Sequence, residues 1–436
     1  MKVLFMDFRD DEGCALDIAL RTQEAGHDTR YWLAKQHPVG DGLVSKPKDW
    51  QPSMDWAELI ILTGNCDYPP ELDEYFAKAY PIFGTNPAAA ELELDREKGQ
   101  EILARYGVKT LPYKVVSSPE EGIEHLVKTG RPFAMKPWGG EADKAMTCIP
   151  KDVNEGIFTL QKWKKEGLFK GQLMMQRIVK GVEIGISGFF GPGGWSSVLE
   201  ESFEHKKFLA GDLGGNTGEM GTVIRHVSES KLFDMILEPL TDYLHLCKFV
   251  GDCNVNCIID ADGQPWPLEF TLRLGWPDFC IRQEVIKGDP IEWMADLLYG
   301  RDSLVVGTEI VVGVVMAHGD FPWEKDPPSR WAGYPIAGVT SENSPHLHWQ
   351  QVMNGKASRL VDGKLRELPM MLTAGTYIVV GAGTGGTVSE AITAAYGAIS
   401  GLSWGSNTIY RVDIGERLKN DLPTIQRHKF AKDMRY

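Results

Sequence analysis

The stretch Asn254–Asp278, NVNCIIDADGQPWPLEFTLRLGWPD, constrains the fold most, because it reads as a hairpin carrying polar groups where a buried hairpin would be apolar. Cys253–Ile259 is β-prone, Asp260-Ala261-Asp262-Gly263 has turn chemistry, and Pro267–Leu274 alternates so that Glu269, Thr271 and Arg273 share a face. Asn254 and Asn256 share a face of the first strand. A carboxylate, amides, a hydroxyl and a guanidinium in one space suit a hard cation and the phosphates it bridges. A solvated sheet face accounts for the same pattern, so the choice rests on the remaining chain.

With 436 residues the expectation is about three domains. A 43% hydrophobic and 24% charged composition is globular, and no apolar run approaches the roughly 20 residues needed to span a bilayer. The opening MKVLFMDFRDDEG lacks a secretory apolar region, and seven cysteines spread from Cys14 to Cys280 without CxxC spacing argue for reduced thiols and against a zinc site. A cytoplasmic location is therefore expected. The net charge of −14 disfavours broad attraction to nucleic acid or anionic membrane, though not a local basic patch.

Residues 1–93 alternate strands (Lys2–Met6, His27–Leu33, Ala57–Thr63, Ile82–Phe83) with helical segments (Gly13–Glu24, Pro70–Ala79), which predicts a parallel sheet. Ligands of such sheets bind beyond the strands' carboxyl ends, at Phe8–Gly13 and Thr63–Tyr68 here, although plain connecting loops explain both. Glu91–Tyr106 reads as one amphipathic helix and Pro119–Lys128 as another. The strand Pro132–Lys136 runs into a glycine-containing turn ending at Lys144. This is either a phosphate cover flanked by two lysines or a surface hairpin. Leu173–Val179 and Val182–Ser187 are two more strands, with Glu183 suited to ribose hydroxyls or simply to the surface. Gly211–Gly221, GDLGGNTGEMG, holds five glycines in eleven residues. That density implies unusual φ or close backbone approach, with ligand contact as the reason.

Helices follow at Phe233–Leu246 and Pro290–Tyr299, a boundary at Gly300–Ser303, and strands at Ile310–Ala317 and Thr376–Val380. The glycines of 381–386 read as a turn into the helix Val388–Ile399 in preference to a phosphate loop, and Gly415–Tyr436 as a solvated helix with a loose end.

Together these stretches resemble the phosphoribosylamine-glycine ligase family of the ATP-grasp superfamily, over nearly the whole chain. Gly211–Gly221 is similar to that family's GDxGPNTGGMG, Glu204–Lys207 to DHKR, Leu268–Asp278 to IEFNxRFGDPE, and Lys136–Met146 to KADGLAAGKGV. Ile82–Thr85 resembles IFGP, and Thr373–Tyr396 resembles TxGGRVLxVTGxGxTxxEAxxxAY. The resemblance implies an ATP-grasp fold of α/β and α+β domains: an N-terminal parallel α/β unit (1–93), an ATP-grasp domain (94–303) with a nucleotide-binding subdomain at about 107–180, and a C-terminal α+β unit (304–436). It also implies ATP and Mg²⁺ (or Mn²⁺) as cofactors, an amino acid and an amine as substrates, and a monomer or dimer.

By that resemblance Arg96, Lys136, Lys144, Gln176, Arg177, Ile178, Val179 and Glu183 would bind the nucleotide, and Glu269, Asn256 and Thr271 the metal. Arg273, Lys144 and Asp212 would act in catalysis, while Asp212, Gly214, Asn216, Thr217, Gly218, Met220, Arg273 and Asp278 would face the substrates. Asn256 stands where an acid is common and Thr271 where the family has Asn, so weaker Mg²⁺ binding is expected. The family's N-terminal GNGGREHAL is matched by 8–16, FRDDEGCAL, which is acidic where a phosphoribosyl group prefers backbone donors and positive charge. The expected activity is an ADP-forming carboxylate–amine ligase using glycine or a similar amino acid. A modified nucleotide or nucleobase acceptor, or a nucleotide-binding pseudoenzyme, are the alternatives.

Overall fold

The computed structural model describes residues 1–8, 15–35, 38–64, 68–137, 147–169, 171–319, 321–322 and 331–436. Lys144, most of the loop Phe8–Gly13 and the centre of Thr63–Tyr68 lie outside the described residues. The apolar strands β1 (Lys2–Asp7), β2 (Asp28–Leu33), β3 (Leu59–Leu62) and β4 (Ile82–Phe83) form a parallel sheet in the order β2-β1-β3-β4, as their alternation with helices predicts. A second sheet joins β5 (Tyr113–Val116), β6 (Phe133–Pro137) and β7 (Leu173–Arg177), with β7 central and both pairings antiparallel. It packs on the helices Pro119–Thr129 and Val153–Glu166 around Leu126, Met135, Leu160 and Met175. The second of these helices has no counterpart in the sequence reading.

The largest sheet is built from β8 (Val182–Gly191), β9 (Gly194–Glu204), β12 (Gly221–Val227), β13 (Gly251–Ile259), β14 (Pro265–Thr271), β15 (Ile310–His318), β16 (Leu347–Trp349), β19 (Tyr377–Gly385) and β20 (Thr408–Ile409). Its order is β14-β13-β8-β9-β12-β15-β19-β16, with β20 on β15. Strands on either side of Gly300–Ser303 therefore share one sheet through the β12–β15 pairing. Two short hairpins complete the strands: β10 (Lys207–Leu209) with β11 (Leu213–Asn216), and β17 (Val352–Val361) with β18 (Lys364–Thr373).

Three expectations are corrected. Glu91–Tyr106 is two helices, Pro87–Leu94 and Arg96–Arg105. Asp95 breaks them by adopting an extended conformation, and its carboxylate accepts from Glu97 N and Lys98 N at 3.0 Å each. The glycines of 381–386 are strand rather than turn as far as Gly385. Gly381, Gly383 and Gly385 share the face that meets the helix Val388–Ile399, and a Cβ on Gly383 would lie 2.2 Å from Ala395 N. Small size at alternate positions lets the helix rest directly on the strand.

The C-terminal tail is packed rather than loose. Leu418, Leu422, Ile425, Phe430, Ala431 and Met434 are buried in the main core, and Val388 N donates to Arg435 O at 2.9 Å.

Gly383→Val is expected to lower the unfolding free energy by at least ~2 kcal/mol through overpacking. Urea denaturation followed by circular dichroism measures this, and an unchanged midpoint would mean that the strand and helix do not depend on this contact.

Candidate active site

The hairpin lies at the sheet's edge, where Asn254 opposes Thr271 and Asn256 opposes Glu269, with a register shift between Asn256 and Cys257. On the other side of β13, Asn254 faces Ser187, Asn256 faces Gly185 and Ile258 faces Glu183 of β8. Across the next pairing Gly185 faces Ser202 and Ser187 faces Glu200 of β9. Because side chains alternate along a strand, Glu269, Asn254, Asn256, Glu183, Ser187, Glu200, Ser202 and Glu204 lie on one face of four adjacent strands. Asn254, Asn256, Ser187, Glu200 and Ser202 are buried, which removes the reading of a solvated sheet face.

At the end of β9 that face gathers a carboxylate cluster around one ammonium. Lys206 Nζ lies 3.2 Å from Glu204, 3.5 Å from Glu269 and 3.6 Å from Glu183. Glu269 also receives Arg96 Nη1 at 2.7 Å, aimed there from the first turn of the helix that Asp95 starts. Burial opposes the charge on Lys206, but Glu204, Glu183 and Glu269 hold its pKa well above the ordinary lysine value.

Lys136 approaches from the smaller sheet. Its Nζ donates to Gln176 Oε1 at 2.7 Å and reaches Leu268 O of β14 at 3.5 Å, so the two sheets meet at this lysine. Burial lowers its pKa to about 8, against a raising effect from Glu269. Gln176 Nε2 donates in turn to Gln100 Oε1 at 3.4 Å. Arg177, exposed, and Ile178 and Val179, half-buried, lead from β7 into β8.

The structure thus brings together Arg96, Lys136, Gln176, Glu183, Asn256 and Glu269, with Thr271 two residues from Glu269. Arg273 is held instead by Glu93: its Nε donates to Glu93 Oε1 at 3.2 Å, and Leu272 N donates to Glu93 Oε2 at 2.8 Å.

The glycine-dense loop is the β10–β11 hairpin, and unusual φ is indeed required, at +70° for Gly211, +79° for Gly214 and +150° for Gly221. Asp212 is exposed and pairs with Arg411 at 3.0 Å, while Asn216 Nδ2 donates to Thr147 O at 3.4 Å. Thr217 donates through Oγ1 to Lys206 O at 2.9 Å, and Met220 is fully buried. Gly218 lies against Trp276. Asp278 is buried against Arg282, which also meets Glu200 and, at 2.8 Å, Asp252.

Sequence reading left four residues out: Lys206, Glu204, Glu93 and Gln100. Lys206 and Glu204 had a signal, since both lie in Glu204–Lys207, the stretch similar to DHKR.

A buried acidic and basic face on an antiparallel sheet, met by a lysine from a second small sheet, is the arrangement of ATP-grasp carboxylate–amine ligases, enzymes that form C–N bonds with ATP. The phosphoribosylglycinamide synthetase ATP-grasp (A) domain family model matches residues 95–279. The chain is 26% identical over 360 residues to a phosphoribosylamine–glycine ligase of Ralstonia nicotianae, covering 79% of this chain and 81% of that one. It is 24% identical over 407 residues to the Halalkalibacterium halodurans enzyme of the same name, covering 90% and 86%.

Among solved structures, phosphoribosylamine–glycine ligase from Thermotoga maritima superposes with a TM-score of 0.73 at 20% identity, covering 95% of this chain and all of that one. N5-carboxyaminoimidazole ribonucleotide synthetase from the same organism gives 0.56 at 14% identity, covering 93% and 99%. Over residues 95–279 the chain is thus similar to the phosphoribosylglycinamide synthetase ATP-grasp domain, and along most of its length it resembles phosphoribosylamine–glycine ligases at 24–26% identity. Among the described residues no helix is long and apolar enough to cross a membrane.

Because Lys136 has a pKa near 8 and a bound phosphate favours its charged form, nucleotide binding is expected to take up a proton. Above pH 8 the affinity for ATP should fall by up to about tenfold per pH unit in titration calorimetry, and this step should disappear in Lys136→Met. A flat profile in the native protein would take Lys136 away from the phosphates.

Proposed function

We propose that the chain activates the carboxylate of glycine or a similar small amino acid with ATP and joins it to an amine. The observation that carries this reading is the convergence of Lys136, Lys206 and Arg96 on Glu269, Glu204 and Glu183 at the meeting of the two sheets. Fixed cations beside fixed carboxylates suit phosphoryl transfer, in which catalysis consists largely of positioning and charge stabilisation.

In this reading the segment Gln176–Val179 carries the adenine, Glu183 receives the ribose hydroxyls, and Lys136 holds the phosphates, with Lys144 as their second lysine. A substrate carboxylate oxygen attacks the γ-phosphorus and ADP leaves. The amine nitrogen then attacks the acyl carbon, phosphate departs, and the amide forms. Lys206 steadies the charge on the transferring phosphoryl group, and Arg273, fixed by Glu93, follows the strand that carries Glu269.

The donor set fits a hard divalent ion, because three carboxylates already surround one cationic atom. Glu269 and Glu204 would hold Mg²⁺ or Mn²⁺, whose charge would offset that of the phosphates. Glu204 supplies the acid that position 256 lacks: Asn256 Nδ2 donates to Glu204 Oε1 at 2.9 Å, so the charge has moved one side chain away. Asp212, Asn216 and Thr217 remain the proposed acceptor loop, and the amine itself is left open between phosphoribosylamine and a modified nucleotide or nucleobase.

Hydroxylamine replaces the unknown amine in the test. With MgATP, glycine and hydroxylamine, the protein is expected to release ADP and form glycine hydroxamate, and Glu269→Ala should lower the rate by roughly a hundredfold or more. Unchanged turnover in Glu269→Ala would remove that carboxylate from the site.

A further inference from the structure

Beyond Lys206 the polar sheet face continues over residues that the phosphoryl-transfer reading leaves without a task. Gly185 stands at the centre, between Asn256 of β13 and Ser202 of β9. A Cβ there would meet Ser202 Oγ at 2.5 Å, Asn256 Oδ1 at 2.9 Å and Asn254 Nδ2 at 3.4 Å, so three polar side chains lean together over this glycine. Ser202 Oγ, Asn256 Oδ1, Thr222 Oγ1 and Glu219 Oε1 are buried and have no hydrogen-bond partner among the described residues. Thr222 lies opposite Glu204, and Glu219 is near Glu204, Asp278, Lys206 and Glu200. A buried polar atom left unpaired costs about 1–3 kcal/mol. Four in one patch imply something that pairs with them.

The chemistry of the patch selects that partner. Asn256 Oδ1 only accepts hydrogen bonds, and Glu219 and the two hydroxyls can do so. Two of the nearby donors are already engaged, Asn256 Nδ2 by Glu204 and Arg282 by Glu200, Asp252 and Asp278, while Asn254 Nδ2 also leans over Gly185. A phosphate would find acceptors facing it, whereas an ammonium would find its three N–H bonds answered. Glu219 adds to this. It stands where the resembling loop has glycine, and burial beside Glu204, Asp278 and Glu200 raises its pKa well above the usual carboxylate range.

We propose that the patch over Gly185, formed by Ser202, Asn256, Thr222 and Glu219, is an ammonium subsite that holds the amino group of the amino-acid substrate while its carboxylate points to Lys206. The inference rests on the ligase reading above. Gly185 is two residues along β8 from Glu183, which contacts Lys206. That step is about 7 Å, the scale of a small amino acid with its phosphoryl group. The site therefore selects substrates by a charge that the reacting carboxylate does not carry.

The hydroxamate assay separates the two ideas. Glycine, alanine and β-alanine are compared with acetate and propionate, which lack the ammonium, in the native protein and in Ser202→Ala and Glu219→Gln. Acetate and propionate are expected to be at least about a hundredfold poorer in kcat/KM, as a site with buried polar groups left unpaired rejects the analogue. Each variant should raise the amino-acid KM about tenfold, the loss of one hydrogen bond to a charged group, with the KM for ATP unchanged.

Acetate hydroxamate formed as readily as glycine hydroxamate, or an unaltered amino-acid KM in a folded variant, would overturn the subsite and leave the ligase standing. No hydroxamate and no ADP from any carboxylate, in protein that binds ATP, would overturn both. The comparison of carboxylates in the native protein stands even where a variant does not fold.

Discussion

One ammonium holds together the carboxylates at the end of β9. Glu183, Glu204 and Glu269 come from three different strands, and without Lys206 their carboxylates would repel one another across the sheet. The lysine is only partly covered, so the cluster has access to solvent and to a ligand. A metal ion and phosphates entering here would meet carboxylates already spaced for a cation, with Lys206 able to turn from the carboxylates to the phosphates. Preorganisation of this kind places the reorganisation cost in folding rather than in the reaction.

Further along the same face the charge is treated differently. Arg282 is almost wholly buried among Glu200, Asp252 and Asp278, and Ser187 Oγ donates to Asp252 at 2.6 Å. Burial nevertheless raises Asp252 to about 6 and Glu200 well above the ordinary range, so one guanidinium does not fully compensate three acids. Such a cluster contributes little net stability against an apolar core of equal volume. Its consequence is a sheet face rich in hydrogen-bond acceptors.

Much of this was legible locally. The hairpin and the faces its polar residues share followed from turn chemistry and alternation within about twenty residues, and the helix Val388–Ile399 has the bounds its pattern suggests. Lys206 was missed because its partners lie 23 residues upstream, two residues away and 63 residues downstream, a relation set by sheet order rather than by spacing. Asp95 carried a readable signal, an N-cap residue inside a helical pattern, but the periodicity on both sides concealed the break. The glycines of β19 misled for a physical reason. Glycine is a poor strand former in isolation, and only the helix packed on it explains its use.

The units separated in sequence also meet beside the polar face, which bears on how the site is walled. The fully buried His348 of β16 has Nδ1 2.9 Å from Asp17 Oδ2 in the first helix and Nε2 3.0 Å from Glu284 Oε1, just beyond Arg282. Burial alone would lower its pKa, but Asp17 and Glu284 together raise it. From the same side Gln350 Oε1 accepts from Trp276 Nε1 at 2.8 Å, and Trp276 lies against Gly218 of the glycine-dense loop. Residues from the beginning, middle and end of the chain therefore fix this wall beside the polar face. Substitutions in any of those three segments would alter this wall, while the cluster around Lys206 is built almost entirely from β8, β9 and β14.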